Sequence, residues 1–397
     1  MLVQFKMKNV LSFKEETIFD MTAISAYKEH VSNLIDIDKK EKFLRVAAIY
    51  GANASGKSNF VCAMRFFQRI IVESLNNVDD GAESILEKYS MPFSFENKME
   101  NSEFEIVEII DNEEYQYGFE YNSESIVMEW LYRKNLDTNR KVTIFERTTQ
   151  EVNLGASVRK ECEVYKDQIP SETLVLSFFN KLKLKTDVFK KVYTGIMDIL
   201  VLSSDACENT GVLNAILPQI IDNEKEELLE FLAAIDTGIK NISYDKNEKE
   251  IIFYTFHKGA DGEMYPLNLY NESEGTIKSI MLFIYAKTAI YKDGMIVIDE
   301  LNVKLHPLLL KFIIDLFYNN DSKAQLIYTT HDTTLMDKKF FRRDQIWFVQ
   351  KDDLGHSELC ALSDFKVRSD ASFEKDYLSG VYGGIPFLKD FSLKAGE

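Results

Sequence analysis

The sequence predicts an α/β fold built on buried strands, with an antiparallel β subdomain in its N-terminal half and a helical insertion near its middle. Three observations predict it. The apolar run Val46 to Tyr50 leads into a glycine-bounded turn and then into helical spacing, which is a strand, loop and helix. A second apolar run, Met295 to Ile298, ends in two adjacent acids. Between them, residues from about Phe104 to Trp130 alternate apolar and polar with the period of half-buried strands.

Taken in order, Val3, Phe5 and Met7 alternate as a strand does, and Ile18 to Met21 follows after a turn near Asn9 to Ser12, so the chain opens with a hairpin. Residues 23–45 are polar and mixed, which reads as a connecting loop with a short helix. Gly51-Ala52-Asn53-Ala54-Ser55-Gly56-Lys57-Ser58 then matches G-x-x-x-x-G-K-[ST] at every constrained position. Glycines at 51 and 56 are expected to let the backbone curl with positive φ, so that successive N–H groups face inward around phosphate oxygens. Lys57 adds a point charge, and the Ser58 hydroxyl is placed to ligate Mg²⁺. The loop opens a helix whose N-terminal dipole favours an anion. Phe60, Met64, Phe67 and Ile71 give that helix one apolar face.

Phe104 and Ile106, then Tyr115 to Tyr121, then Ile126, Met128 and Trp130 read as an antiparallel meander with turns at Asp111-Asn112 and Asn122-Ser123. The aromatic stripe is expected in the core, because it lacks the interleaved Arg and Lys of single-strand binders. Helical spacing follows in Leu174 to Phe179, Val188 to Leu202 and Leu228 to Ile235, with Gly238 ending the last helix. Ile251 to Phe256 returns to a strand. The expected division is 1–150, the first half of the nucleotide-binding unit with its meander; 151–245, the helical insertion; and 246–397, the second half.

Three downstream stretches carry chemistry. Asp299 and Glu300 stand at the carboxyl end of a strand, where ligands gather in open α/β sheets; Asp299 is read as holding Mg²⁺ through its water shell, and Glu300 as polarising an attacking water. Gln325 to Thr330 is a strand with His331 at its tip, placed to hydrogen-bond a γ-phosphate. His257, His306 and His356 are read as structural. Ser273-Glu274-Gly275-Thr276 opens an apolar helix and could form an anion site, although Ser beside Glu is also ordinary N-capping.

The bulk properties bound the rest. The chain has 397 residues, 45% of them hydrophobic, with Lys and Arg numbering 47 against 64 Asp and Glu, for a net charge of −17. That balance disfavours a surface that grips nucleic acid and suits solubility or a basic partner. The densest basic run, Lys181, Lys183, Lys185, Lys190 and Lys191, reads as a solvated helix face. There is no long apolar span or secretory signal, so a cytoplasmic, membrane-free protein is expected. Cys62, Cys162, Cys207 and Cys360 are scattered, which indicates neither disulfides nor zinc and suggests buried small apolar groups.

The set of motifs resembles the ABC-type P-loop NTPase head, the class that includes chromosome-maintenance and break-repair ATPases, RecF and the OLD family. Within it, the chain is similar to stand-alone prokaryotic AAA-family ATP-binding proteins of the abortive-infection and phage-defence type. K-N-V-L-S-F-K from Lys8, I-D-E-L-N-V-K-L-H-P from Ile298, R-R-D-Q-I-W-F-V-Q-K from Arg342, L-S-D-F-K-V-R from Leu362 and Y-L-S-G-V-Y-G-G-I-P from Tyr377 carry that likeness. The resemblance implies ATP and Mg²⁺ as ligands, Gly51 to Ser58 as Walker A, and Asp299 and Glu300 as Walker B with its catalytic base. It implies Ser273, Gly275 and Thr276 in the signature motif, Asn302 to Leu305 as the D-loop and His331 as the switch histidine. It also implies a homodimer or higher homo-oligomer joined head to tail through the nucleotide sites, each signature motif completing a partner's site. The D-loop departs from the family's usual Asp followed by Ser, and neither Gln68 nor Gln116 has the context of a Q-loop glutamine. Effector chemistry is expected in a separate nuclease or toxin. A RecF-like DNA-maintenance ATPase and an ATP-bound scaffold with negligible turnover are the alternatives.

Overall fold

In a computed structural model, which describes residues 1–37, 41–75, 84–96, 100–204, 210–247, 250–368 and 371–386, two large sheets sandwich the helix that follows the phosphate loop. Cys207 lies outside the described residues. The strands are β1 (Leu2–Lys8), β2 (Thr17–Asp20), β3 (Leu34–Asp36), β4 (Lys42–Leu44), β5 (Val46–Tyr50), β6 (Ser102–Ile110), β7 (Glu113–Tyr121), β8 (Ile126–Asn135) and β9 (Lys141–Thr148). They continue as β10 (Val152–Leu154), β11 (Ile199–Leu202), β12 (Ile239–Lys246), β13 (Ile251–Lys258), β14 (Met264–Asn268), β15 (Met295–Ile298), β16 (Gln325–Thr330), β17 (Ile346–Lys351) and β18 (Ser357–Ala361). The helices are α1 (Lys57–Glu73), α2 (Ile85–Tyr89), α3 (Arg159–Cys162), α4 (Val175–Lys181), α5 (Val188–Met197), α6 (Thr210–Asn223), α7 (Lys225–Ala234), α8 (Glu274–Tyr291), α9 (Pro307–Tyr318) and α10 (Phe373–Leu378).

The first sheet runs β10-β9-β8-β7-β6-β1-β2, and every pairing in it is antiparallel. The opening hairpin and the meander are therefore one surface. Its apolar face meets α1: Phe5 lies edge-on to Phe60 and Phe67, and Phe67 stacks on Phe119 at 5.6 Å between centroids. Tyr115, Tyr117, Phe119 and Tyr121 are all buried, so the aromatic stripe is core.

The second sheet runs β11-β15-β16-β5-β17-β18, parallel except for the final hairpin. Strand β5 is buried on both faces, as a parallel strand covered on two sides must be. Ala47 and Ile49 face the α1 core, while Val46, Ala48 and Tyr50 face a second core formed by α6, α7, α8 and α9. The two sheets are joined by Gln325, whose amide oxygen accepts from Leu2 N–H (2.7 Å) and whose amide nitrogen donates to the carbonyls of Leu2 and Leu44 (both 3.1 Å). A third sheet, β12-β13-β14, precedes α8.

Three local expectations change. The stretch from Val188 to Leu202 is helical only to Met197; Ile199–Leu202 is a strand, and it pairs in parallel with β15 from Ile199↔Met295 to Leu202↔Ile298. The segment between 151 and 245 is therefore not helical throughout, because it supplies an edge to the central sheet. Residues 23–45 contain the short pair β3 and β4 beside a one-turn helix at Val31–Asn33. Helix α7 ends at Ala234, with the turn that follows taken by Asp236 and Gly238, both at positive φ.

Residues 23–33 are held by Arg342. Its fully buried guanidinium pairs with Asp344 (2.7 Å) and donates to the carbonyls of Ile24, Tyr27 and Glu29.

Candidate nucleotide site

The order of the parallel strands brings the motifs together. Strand β16 lies between β5 and β15, so the loops that leave the carboxyl ends of all three open on one edge of the sheet. Those loops carry Gly51 to Ser58, His331, and Asp299 with Glu300. Pairing of Thr330 with Tyr50 and of Tyr328 with Ile298 sets the three tips nearly level.

The phosphate loop curls differently in detail from the sequence expectation. Gly56 is left-handed (φ 119°), but Gly51 is not among the residues at positive φ, and the second such position is Ala54 (φ 61°). Gly51 is required by proximity instead: a Cβ there would stand 2.5 Å from the Val349 carbonyl oxygen and 2.6 Å from Ser55 Oγ. Beneath Gly56 lies a hydroxyl cluster that the motif does not announce. Ser357 Oγ donates to the Ser55 carbonyl (2.6 Å) and bonds Ser12 Oγ (2.7 Å), to which Asn59 Nδ2 also donates. A Cβ on Gly56 would fall 2.4 Å from Ser357 Oγ.

Lys57 is buried at the start of α1, and its ammonium donates to the carbonyls of Gly51 (2.8 Å) and Ala52 (2.9 Å). Burial pulls its pKa below the ordinary lysine value, while the charges of Glu300 and Asp299 oppose that shift. Asn53, Ala54 and Ser58 are exposed.

Across β16, Thr329 ties the two acids into one unit. Its Oγ1 donates to Asp299 Oδ1 (2.5 Å) and accepts from the Glu300 N–H (2.8 Å). Glu300 is held at φ 50°, a left-handed conformation unusual for a residue with a side chain. His331 is exposed at the tip of β16; its Nε2 lies 3.5 Å from Asn302 Nδ2, and Asn302 Oδ1 accepts from Thr330 Oγ1 (2.8 Å).

The remaining sequence candidates lie at the start of α8. Ser273 caps that helix, with Oγ accepting from Thr276 N–H (3.1 Å) and lying 2.8 Å from Thr276 Oγ1, so the capping role is realised. The neighbours of this turn are the residues after Glu300: Lys278 Nζ donates to the Val303 carbonyl (2.7 Å), Lys304 pairs with Glu274 (3.5 Å), and a Cβ on Gly275 would sit 2.9 Å from the Lys304 carbonyl. The structure thus unites the phosphate loop, the two acids and His331, and it sets the start of α8, through Glu274, Gly275 and Lys278, against Val303 and Lys304, while Ser273 and Thr276 bond each other.

The other candidates are structural. His306 caps α9, His356 bonds Asp352 (2.9 Å), and His257 bonds Glu272 (2.6 Å). Gln68 ties α1 to the carbonyls of Ile196 and Ile199, and Gln116 bonds Glu105. Thr329 and Ser357 went unassigned in the sequence, where only the polar end of β16 gave a signal for the first.

The fold and the phosphate loop at the carboxyl end of β5 define a P-loop domain of the AAA type. The chain belongs to the family described as "AAA domain, putative AbiEii toxin, Type IV TA system", which matches residues 46–155 and 205–337. Solved structures that resemble it include the SMC head domain from Thermotoga maritima, at 14% identity and a TM-score of 0.42, over 91% of this chain and 98% of that one. A second is the SmcHead bound to the C-winged helix domain of ScpA, at 14% identity and a TM-score of 0.43, over 94% and 99%. A third, the Pyrococcus furiosus Smc head with an extended coiled coil bound to the C-terminal domain of ScpA, has 13% identity and a TM-score of 0.38, over 96% and 99%. No curated protein matches in sequence. Among the described residues no helix is long and apolar enough to cross a membrane.

Proposed function

We propose that the chain is a magnesium-dependent ATPase that dimerises head to tail on ATP and acts as the sensor or regulator of a separate effector in prokaryotic anti-phage defence. The observation that carries the catalytic part is the Thr329 bridge, which fixes Asp299 and Glu300 on the same sheet edge as Lys57. The donor set fits the ligands. Loop N–H groups and the Lys57 ammonium suit phosphate oxygens, and the Ser58 hydroxyl with the Asp299 carboxylate suits a hard cation.

In this reading Gly51, Asn53, Ala54, Ser55 and Gly56 cradle the phosphates, and Ser58 with Asp299 would hold Mg²⁺, which would supply positive charge beside them. Glu300 takes the proton of the attacking water, and His331 meets the γ-phosphate. Ser273, Gly275 and Thr276 serve the site of a second copy, where the N-terminus of the 18-residue helix α8 offers N–H groups to an anion. Support for the defence role is the family description, which names a putative toxin of a toxin–antitoxin system.

The test is Glu300→Gln. Magnesium-dependent hydrolysis is expected to fall about 100-fold or more, while ATP binding and an ATP-dependent increase in molecular size persist. Wild-type turnover by this variant would remove Glu300 from the chemistry.

A further inference from the structure

The residue just before the signature turn carries a charge that the proposed chemistry leaves unused. Glu272 follows the one-turn helix Leu269–Asn271, donates its own N–H to the Leu269 carbonyl (3.1 Å), and precedes the cap residue Ser273. Its side chain is only 9% exposed. One oxygen, Oε1, receives both Thr255 Oγ1 (2.5 Å) and His257 Nε2 (2.6 Å), two residues that point the same way from β13. Strand β13 also pairs with β14 from Tyr254↔Asn268 to Lys258↔Met264. The segment from β14 to α8 is thus fastened to β13 at its beginning by the ladder and at its end by this carboxylate.

Two acids flank Ser273, and an anion approaching the helix end would be repelled by both. Each is paired away from the turn: Glu272 with His257, and Glu274 with Lys304 of the D-loop. The helix itself does not depend on Glu272, since Ile280 to Ala286 and Ala289 bury it in the second core.

We propose that Glu272 is a positioning residue for the signature turn. Pegged to Thr255 and His257, it aims Ser273 and the first N–H groups of α8 at the γ-phosphate held by the loop of a second copy. The proposal rests on the head-to-tail reading above. It goes further in making β13 the element that sets the trans half of each site.

The experiment uses the full chain. Glu272→Ala is expected to bind a fluorescent ATP analogue within about twofold of wild type and to lose about tenfold or more in kcat with little change in KM. Glu272→Gln, whose amide oxygen can accept both bonds, is expected to restore most of the rate. Should the alanine variant not fold, the isosteric Thr255→Val removes one bond and carries the same test with a smaller loss. Mixing provides a readout that a purely structural role would not move. Equal amounts of Glu272→Ala and Lys57→Ala chains form heterodimers with one intact site, so activity is expected to recover to about one quarter of wild type. Ser273→Arg mixed with Lys57→Ala is the control for the shared site. If that control recovers while Glu272→Ala turns over normally, or while Gln is no better than Ala, the role of Glu272 is overturned and the shared site stands. If the control does not recover, the head-to-tail reading falls, and this proposal falls with it.

Discussion

Replacing Thr329 by valine tests the site at its hinge. The side chain is fully buried, and valine matches its shape while lacking the hydroxyl. Two bonds disappear: one to a carboxylate oxygen of Asp299, and one from the Glu300 N–H. A bond to a charged group is worth about 1.5–3 kcal/mol and a neutral one about 0.5–1.5, so a loss of roughly 2–4 kcal/mol is expected. A function follows from the same geometry. Glu300 is held in a left-handed conformation that costs about 1–3 kcal/mol, and the Thr329 contact opposes its relaxation. Losing about 2 kcal/mol of that positioning corresponds to roughly 30-fold in rate. The assay pairs urea denaturation, read at constant m, with steady-state hydrolysis across a magnesium titration. Thr329→Ser keeps the hydroxyl and is expected to stay within about 1 kcal/mol of wild type. A valine variant with the wild-type midpoint and wild-type turnover would refute the reasoning.

Other outcomes follow from single contacts. Gly56→Ala combines a left-handed φ with a 2.4 Å approach to Ser357 Oγ, so ATP-analogue binding is expected to be lost; retention of wild-type affinity would show that the loop tolerates a side chain there. Arg342→Met strands the buried Asp344 carboxylate and is expected to cost about 3–5 kcal/mol by denaturant midpoint, because an unpaired buried charge is left behind. Burial raises the Glu108 carboxyl to about 8, with the nearby Asp198 adding to the rise and the N-terminal ammonium opposing it. Its Oε1 has no hydrogen-bond partner. Between the ordinary carboxyl value and about 8 the folded chain keeps a proton that the unfolded chain has lost, so stability falls as pH rises through that window. Glu108→Gln is expected to match wild type near pH 5 and to exceed it by up to several kcal/mol near pH 8, measured by urea midpoints at both values.

The parts of the site legible in the sequence are those in which cause and consequence are neighbours in the chain. An apolar run that ends in a glycine turn, two acids or a histidine declares both its strand and its tip, and β5, β15 and β16 were found that way. The meander was legible for the same reason, since Phe104 to Trp130 carries its period locally. What escaped depends on partners far away in the chain. Ser357 supports Gly56 through a cluster with Ser12, 345 positions distant, and neither residue type is unusual where it stands. Strand β11 escaped because four apolar residues after a helix continue its pattern equally well; pairing with β15, almost a hundred residues later, decides the conformation. The glycines illustrate a further limit. The motif marks Gly51 and Gly56 as special, but only packing shows that one is fixed by φ and the other by a nearby carbonyl oxygen.

The contacts also show how the start of α8 is tied to residues 302–304 within one chain. From His331 the path runs to Asn302, which Thr330 holds, and on through Val303 and Lys304 to Lys278 and Gly275 of α8. Apart from the covalent run from Asn302 to Lys304, each step is a hydrogen bond or a backbone approach too close for a side chain, so a short segment links His331 to the start of α8. Gly275 is required for that approach: a Cβ 2.9 Å from the Lys304 carbonyl oxygen would have to push that segment aside. Under the proposed head-to-tail reading, this segment is the contact through which a displacement of His331 would reach the start of α8. The Asn302 amide reaches toward the histidine, and the backbone carbonyls of Val303 and Lys304 meet the helix.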